Sequence, residues 1–292
     1  MDWNSRRITA ILENALLEDR ATRDATSYAC VDPSQKAAAT VTAKQDCILA
    51  GLGVIPAILD VFAAVDGAVI SHYEVISHPE IFDGVRLHSG QSLAVIRHNA
   101  RVILSCERVM LNFLQRMSGV ATLTRQFVAA VSGTKARILD TRKTVPGLRV
   151  IDKYGVRCGG GQNHRLDLSD GVLIKNNHIA LAGGIVPALE RAHHNRRGSQ
   201  PIEIEVRTLA EMQLAIDHGA EALLLDGMSV EDVRKAVELC AGREKRIPVE
   251  CAGGIKLENI RAYAETGVDF ISVGALTYSA QAVDMNLRVV PD

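Results

Sequence analysis

The sequence predicts an α/β protein, because short apolar segments alternate with helix-like segments after residue 136 and the first third mixes both element types. The chain has 292 residues, about twice the length of a typical domain, so we expect two domains or one α/β barrel with an attachment. Apolar residues make up 47% and aromatic residues 4%, which favours a core of Ala, Val, Ile and Leu. This composition excludes intrinsic disorder, a collagenous repeat and a disulfide scaffold.

The charge balance and the cysteine positions argue against several further classes of protein. Lys and Arg total 33 against 34 for Asp and Glu, and this balance argues against a general binder of nucleic acid or of membrane surfaces. The six cysteines are scattered without a CxxC pair, which argues against a zinc knuckle and favours a reducing compartment. No apolar run resembles a signal peptide or a membrane span. We therefore expect a soluble, cytoplasmic protein.

The first third predicts an N-terminal amphipathic helix over 8–16, followed by mixed elements. Alternation predicts strands over 39–43, 68–75 and 92–98, and 57–65 is predicted to be a helix with Pro56 near its start. The apolar run 101–104 predicts another strand, after which Ser105 is expected to cap a long helix over 106–131. Because no low-complexity linker divides the chain, this helix is expected to connect the two parts.

The remaining sequence predicts parallel strands with helices outside them. The predicted strands are 136–139, 172–174, 202–206, 222–225, 248–251 and 270–273. Helices are expected to start near residues 185, 209, 230 and 257. Six strands are fewer than the eight of a closed (β/α)₈ barrel, so an incomplete barrel fits, and a doubly wound sheet stays open.

Polar or glycine residues follow each of these six strands, where α/β barrels build their active sites. The strand at 136–139 runs into Asp140-Thr141-Arg142-Lys143, and four of the others run into Lys175, Asp226, Gly253-Gly254 and Gly274. Lys175 or Asp226 alone would more often be an ordinary turn residue. The glycine pair could be a simple turn, but its N–H groups would also suit a phosphate.

Two carboxylates inside a strand are harder to explain as structure alone. Glu203 and Glu205 alternate with apolar residues, whereas a parallel strand is usually apolar on both faces. Buried carboxylates require cations, a metal or a wet cavity. Residues 141–166 carry six bases and one acid, and residues 202–226 carry six acids and one base. This separation predicts an enzyme that handles a polyanionic substrate with a divalent cation.

Several motifs together resemble the quinolinate phosphoribosyltransferase family, which is also named carboxylating nicotinate-nucleotide pyrophosphorylase. The likeness is strong over residues 100–280 and looser before them. The motifs that carry it are Asn112–Gly119, Asp140–Arg149, Lys153-Tyr154, Gly159–Arg165, Lys175–Ile179, Glu203–Val206, Leu225-Asp226, Gly253–Ile255 and Ser272–Thr277.

The resemblance implies an N-terminal α/β sandwich domain over 1–116 and an open-faced incomplete (β/α) barrel over 117–280. A C-terminal segment, 281–292, would pack back on the N-terminal domain. It further implies a homodimer or higher oligomer with shared active sites. The implied reaction joins quinolinate to phosphoribosyl pyrophosphate with Mg²⁺, and it releases pyrophosphate and carbon dioxide to give nicotinate mononucleotide in NAD biosynthesis.

The resemblance also assigns roles to residues of this chain. Glu205 and Asp226 would hold ribose hydroxyls and Mg²⁺, and they are the expected catalytic groups together with Lys143 and Lys175. The other expected substrate-binding residues are Arg108 (reaching the partner's site), Thr141, Arg142, His164, Arg165, Ala252, Gly253, Gly254, Gly274 and Ala275.

Alternatives remain at this point. Asn176 stands where family members often carry an acid, which leaves no metal ligand expected there. A related transferase acting on another heteroaromatic acid, such as the paralogues associated with molybdenum transport, would keep nucleotide formation and lose decarboxylation. A non-catalytic phosphate-binding barrel is disfavoured, because binding alone does not require opposed acidic and basic rims.

Overall fold

The structure is a computed structural model that describes residues 1–67, 72–242 and 246–292. The α-helices in these ranges are α1 Arg6–Glu18, α2 Ala25–Cys30, α3 Val54–Asp66, α4 Ala100–Ala130, α5 Arg149–Cys158, α6 Asn176–Ala182, α7 Ile185–Asn195, α8 Leu209–Asp217, α9 Val230–Ala241, α10 Ile260–Ala264 and α11 Ala275–Tyr278. The strands are β1 Lys36–Ala43, β2 Cys47–Ile48, β3 Glu74–Ile76, β4 Arg86–Leu87, β5 Ser92–Asn99, β6 Arg137–Leu139, β7 Val172–Ile174, β8 Ile202–Val206, β9 Ala222–Asp226, β10 Val249–Ala252, β11 Phe270–Ser272 and β12 Met285–Pro291.

The first compact unit comprises residues 1–125, 145–160 and 279–292. It contains a four-stranded sheet in the order β12-β1-β5-β3, with antiparallel pairing throughout. Alternate residues of β1 are buried, as expected for a strand with one covered face. Helices α1 and α3 contribute Leu12, Ile55 and Ile58 to the same apolar core as β1. The unit is therefore a mixed α/β domain.

The second compact unit comprises residues 126–144 and 161–278. Its six strands are all parallel, in the order β6-β11-β10-β9-β8-β7. From β7 to β11 each strand pairs with the next in the chain, and the first strand, β6, pairs with the last. A doubly wound sheet instead reverses direction at a switch point. The unit is thus an incomplete (β/α) barrel that is open between β6 and β7, as predicted.

A short backbone contact extends the open edge at β6. Gln162 forms a parallel bridge with Leu139, because its N–H donates to the Ile138 carbonyl at 2.8 Å and its carbonyl accepts from the Asp140 N–H at 3.1 Å. The segment after Gln162 is thereby held at the carboxyl end of β6.

The sequence-based prediction was wrong at the start of the long helix. The 101–104 segment is not a strand, since α4 begins at Ala100, and the Arg101 N–H donates to the Asn99 side chain at 2.9 Å. Ser105 therefore lies inside the helix, where its hydroxyl donates to Asp24. The run Arg-Val-Ile-Leu is short enough to fit either structure, but Ile103 continues the helical spacing of the apolar residues that follow it.

Smaller differences occur elsewhere. Of the predicted strand 68–75, residues 68–71 lie outside the described residues, and β3 starts at Glu74. Helix α3 starts at Val54, three residues before the predicted 57, and the helix expected near 257 starts at Ile260. In the described parts of the chain, no helix combines the length and the apolar character that a membrane crossing requires.

Candidate active site

The six parallel strands end at one edge of the second unit, and this edge carries most of the residues singled out from the sequence. Arg142 and Lys143 follow β6, Lys175 follows β7, and Asp226 ends β9. Gly253-Gly254 and Gly274 follow β10 and β11. We refer to these residues, together with Glu205 of β8, as the rim. Arg108 lies on α4 in the first unit, with its side chain exposed.

Glu205 and Asp226 form the acidic centre of the rim. Glu205 is buried, and alternation in β8 places it on the opposite face of the strand from Ile202, Ile204 and Val206. The Lys175 Nζ atom lies 3.9 Å from Glu205 Oε2. The Arg207 guanidinium bridges the two acids, at 3.6 Å from Glu205 Oε1 and 3.3 Å from Asp226 Oδ2. Both carboxylates thus converge on one positive charge.

The glycine residues bring the backbone close to these charged groups. Gly253 has φ +85°, and a Cβ atom there would lie 2.8 Å from both Asp226 Oδ1 and the Gly227 nitrogen. A Cβ atom on Gly274 would lie 3.0 Å from Lys143 Cδ, so the Lys143 side chain passes along this glycine. The Thr277 hydroxyl donates to the Lys143 carbonyl at 2.8 Å, and this hydrogen bond holds the Lys143 backbone next to α11. A small, cationic cradle results.

Arg142 and Arg165 lie close enough to repel each other. Burial, followed by the positive charge of Arg142, lowers the pKa of Arg165, whereas Glu203 and Asp170 oppose that shift. One nitrogen of the Arg165 guanidinium donates to the Gly171 carbonyl at 3.0 Å. Two neighbouring guanidinium groups are arranged to bind an anion, and a dicarboxylate would relieve their repulsion.

His164 lies above two carboxylates of the barrel interior. Its Nε2 atom is 3.4 Å from Glu203 Oε2 and 3.5 Å from Glu250 Oε2, and both acids have little exposure. Burial alone would lower the pKa of His164, but the contacts with Glu203 and Glu250 raise it to about 10. Burial also raises the pKa of Glu250. The three side chains therefore retain an extra proton at neutral pH.

The backbone contact at Nδ1 indicates where that extra proton resides. The Arg165 N–H donates to His164 Nδ1 at 2.7 Å, so Nδ1 must be an acceptor and cannot carry a hydrogen. An imidazolium has no acceptor nitrogen, so the geometry favours the neutral Nε2–H tautomer with the extra proton on Glu250. The raised pKa then belongs to the three groups together rather than to the imidazole ring.

Asp140 anchors the segment that carries His164 and Arg165. Its fully buried carboxylate accepts from the His164 N–H at 2.9 Å and from the Asn163 side-chain amide at 2.6 Å. The Lys143 N–H donates to the Thr141 hydroxyl at 3.0 Å on the other side of Arg142. Ala252 and Ala275, both partly exposed, lie beside the glycines of the rim.

Two cavities are present near these residues. One, of about 530 Å³, lies at the amino end of the barrel, because Pro201, Ala222, Pro248 and Phe270 line it along with His164. The other, of about 610 Å³, lies beside β7 and is lined by residues of α6 and α7. The rim is at the opposite end of the strands from the first cavity, and Arg165 lines both cavities.

Three charged residues of this region were not predicted as site residues. In the sequence, Arg207 is the single base among the acids of residues 202–226, and Glu250 is part of the predicted strand 248–251. Asp140 was quoted within the motif after β6. For Glu250 a signal was available, since it is a carboxylate within an otherwise apolar parallel strand, like Glu203.

Two family models match the chain. The model for "Quinolinate phosphoribosyl transferase, C-terminal domain" matches residues 120–288, and that for the N-terminal domain of the same family matches residues 24–118. Among curated relatives, a nicotinate-nucleotide pyrophosphorylase [carboxylating] of Mycobacterium leprae is 42% identical over 94% of this chain and 95% of the relative. A probable enzyme of the same name from Bacillus subtilis is 38% identical over 98% and 94%. The solved structure of NadC from Streptococcus pyogenes has a TM-score of 0.91 and 35% identity over 100% of this chain and 99% of that one.

Proposed function

The chain belongs to the quinolinate phosphoribosyl transferase family, and we propose that it transfers the phosphoribosyl group of phosphoribosyl pyrophosphate to quinolinate with decarboxylation. The products are nicotinate mononucleotide, pyrophosphate and carbon dioxide. The observation that carries this proposal is the convergence of the Glu205 and Asp226 carboxylates with Lys175 and Arg207 at the rim. An enzyme that joins a diacid to a phosphorylated sugar requires both charge types in one place.

The basic residues suit the anionic parts of the two substrates. Arg142 and Arg165 would clamp the quinolinate carboxylates, and burial of Arg165 strengthens such a contact by removing competing water. Lys143 and Lys175 would neutralise charge on the departing pyrophosphate. The backbone N–H groups of Gly253, Gly254 and Gly274, together with Ala252 and Ala275, would receive the 5′-phosphate.

The proposed reaction has two steps, transfer of the phosphoribosyl group to the pyridine nitrogen and then decarboxylation. The lone pair of the pyridine nitrogen forms the new bond to the anomeric carbon as the bond to pyrophosphate breaks, so no general base is required. Positive charge develops on the ribose, and the Glu205 and Asp226 carboxylates would stabilise it. The alkylated ring is then an electron sink, so the adjacent carboxylate leaves as carbon dioxide and the ring carbon takes a proton.

The same two carboxylates fit Mg²⁺. Their oxygens already converge on the Arg207 guanidinium, and hard oxygen donors are the ligands this ion prefers. Arg207 is 53% exposed and can therefore move away from the pair. When bound, the ion would neutralise negative charge on the pyrophosphate.

The assembly and the compartment belong to the same proposal. We infer a homodimer in which Arg108 reaches the partner's site, which is supported by its exposed position on α4. We place the protein in the cytoplasm, which is supported by six cysteines that lie within the described residues and form no disulfide there.

The test uses the purified protein with quinolinate, phosphoribosyl pyrophosphate and Mg²⁺. We expect nicotinate mononucleotide and carbon dioxide in equal amounts, and no product when nicotinic acid replaces quinolinate. Mononucleotide formation from another heteroaromatic acid without decarboxylation would indicate the related transferase instead. No turnover by folded protein would refute the proposed reaction.

A further inference from the structure

Four contacts hold the segment that carries Arg165, and two of them involve Glu203 and Glu250. Gln162 bridges to β6, and Asp140 binds the backbone of His164. The ring of His164 then reaches into the barrel, where Nε2 lies 3.4 Å and 3.5 Å from the two glutamates. Its other nitrogen accepts from the Arg165 N–H. The ring therefore connects Glu203 and Glu250 in the barrel interior to the backbone N–H of Arg165.

The three side chains have a geometry that could be interpreted as a metal site, since their ligand atoms lie within 4.8 Å of one another. The Arg165 N–H argues against this interpretation. A metal-bound Nε2 requires the hydrogen to be on Nδ1, and Nδ1 here faces a donor. The proton on Nε2 instead points between the two acids, which are acceptors for it.

Glu203 and Glu250 lie in the barrel interior, where an ionisable side chain is costly to bury. Glu250 is 4% exposed, and its second oxygen, Oε1, is buried with no hydrogen-bond partner among the residues that the structure describes. Burying such a group costs stability, so its presence points to a role other than stabilising the fold. Glu203 lies on β8 and Glu250 on β10, with β9 between them, so together they contact the ring from two directions.

We propose that Glu203 and Glu250 are positioning residues, which hold the His164 ring by its Nε2–H and thereby set the location of Arg165 for binding a carboxylate of the acceptor substrate. This inference rests on the proposed function, because it concerns the same substrate. Neither acid needs to touch that substrate. Their effect is transmitted through the ring to the Arg165 backbone and is therefore specific to the acceptor rather than to the sugar phosphate.

The test combines kinetics with nitrogen NMR of the histidine rings. Glu203→Leu and Glu250→Leu each remove an acceptor with little change in volume. Each is expected to raise KM for quinolinate about tenfold or more, since small displacements of a binding group have effects of this size. KM for phosphoribosyl pyrophosphate should stay within about twofold and kcat within about threefold, because the rim carboxylates are unchanged.

Glu221→Leu is the matched control, because Glu221 lines the same cavity but pairs with Arg196 at 2.7 Å. It should leave both KM values near those of the unchanged protein. In the unchanged protein at pH 7, the His164 signal, assigned with His164→Gln, should show hydrogen on Nε2 and none on Nδ1.

Three results would overturn the proposal that Glu203 and Glu250 position Arg165. A quinolinate KM that both glutamate variants leave unchanged would overturn the proposal, as would hydrogen on Nδ1 of His164. Equal rises in the two substrates' KM values would indicate a general structural role and overturn it as well. If the variants do not fold, the NMR result on the unchanged protein decides. Absence of turnover in the unchanged protein would refute the proposed function, while the ring tautomer would still test the positioning.

Discussion

Gly253→Ala is expected to damage both stability and the acidic centre of the rim, and Gly254→Ala provides its control. Both glycines have positive φ, +85° and +68°, so an alanine at either position costs about 1–2 kcal/mol of backbone strain. At Gly254 the new methyl group would enter open space. At Gly253 it would lie 2.8 Å from Asp226 Oδ1 and from the backbone nitrogen of Gly227, which cannot move away as a flexible side chain can.

The close contact adds about 1–3 kcal/mol to the strain at Gly253, as overpacking usually does. We therefore expect urea unfolding to show a loss of about 1–2 kcal/mol for Gly254→Ala and about 2–5 kcal/mol for Gly253→Ala. Since the displaced group is Asp226, Gly253→Ala should also lower kcat more than its control does. Equal effects of the two variants on stability and on kcat would refute this reasoning.

Three further predictions concern charge and assembly. Arg207→Ala should strengthen Mg²⁺ binding to the free protein several-fold by calorimetry, because it removes a competing cation from the rim carboxylates; unchanged or weaker binding would contradict this. The stability advantage of the unchanged protein over a variant that combines His164→Asn, Glu203→Gln and Glu250→Gln should be full near about pH 6 and should decline as pH rises towards 10, by at most about 1.4 kcal/mol per pH unit, since the three groups together keep a proton in the folded state that the unfolded state loses; urea unfolding across this range would contradict it if the advantage grew. Arg108→Ala and Arg165→Ala should each abolish activity, and a mixture of the two should regain part of it through hybrid dimers; no regain would argue against shared sites.

The parallel strands and the order of the rim residues were predictable from the sequence, because parallel strands end at one edge and each is followed by a polar or glycine residue. The choice between a barrel and a doubly wound sheet came from the family resemblance and not from the local pattern, because it depends on the pairing of β6 with β11, strands separated by most of the unit. Local patterns carry no information about such a pairing.

The sequence also does not predict which charged residues contact one another in the folded protein. The sequence predicts that Glu203 needs a partner, but nothing in its neighbourhood indicates that the partner is the Nε2–H of His164, almost 40 positions earlier. The role of Arg207 as the bridge between Glu205 and Asp226 likewise depends on how β8 and β9 align. The misplaced start of α4 has a different origin, since a four-residue apolar run fits both a strand and a helix.

The most direct measurement is a crystal structure of the protein with quinolinate and an unreactive analogue of phosphoribosyl pyrophosphate. Our account predicts the diacid between Arg142 and Arg165, and the phosphates against Lys143 and the Gly253-Gly254 backbone. Ligand density confined to the cavity at the amino end of the barrel, or to the cavity beside β7, would contradict it.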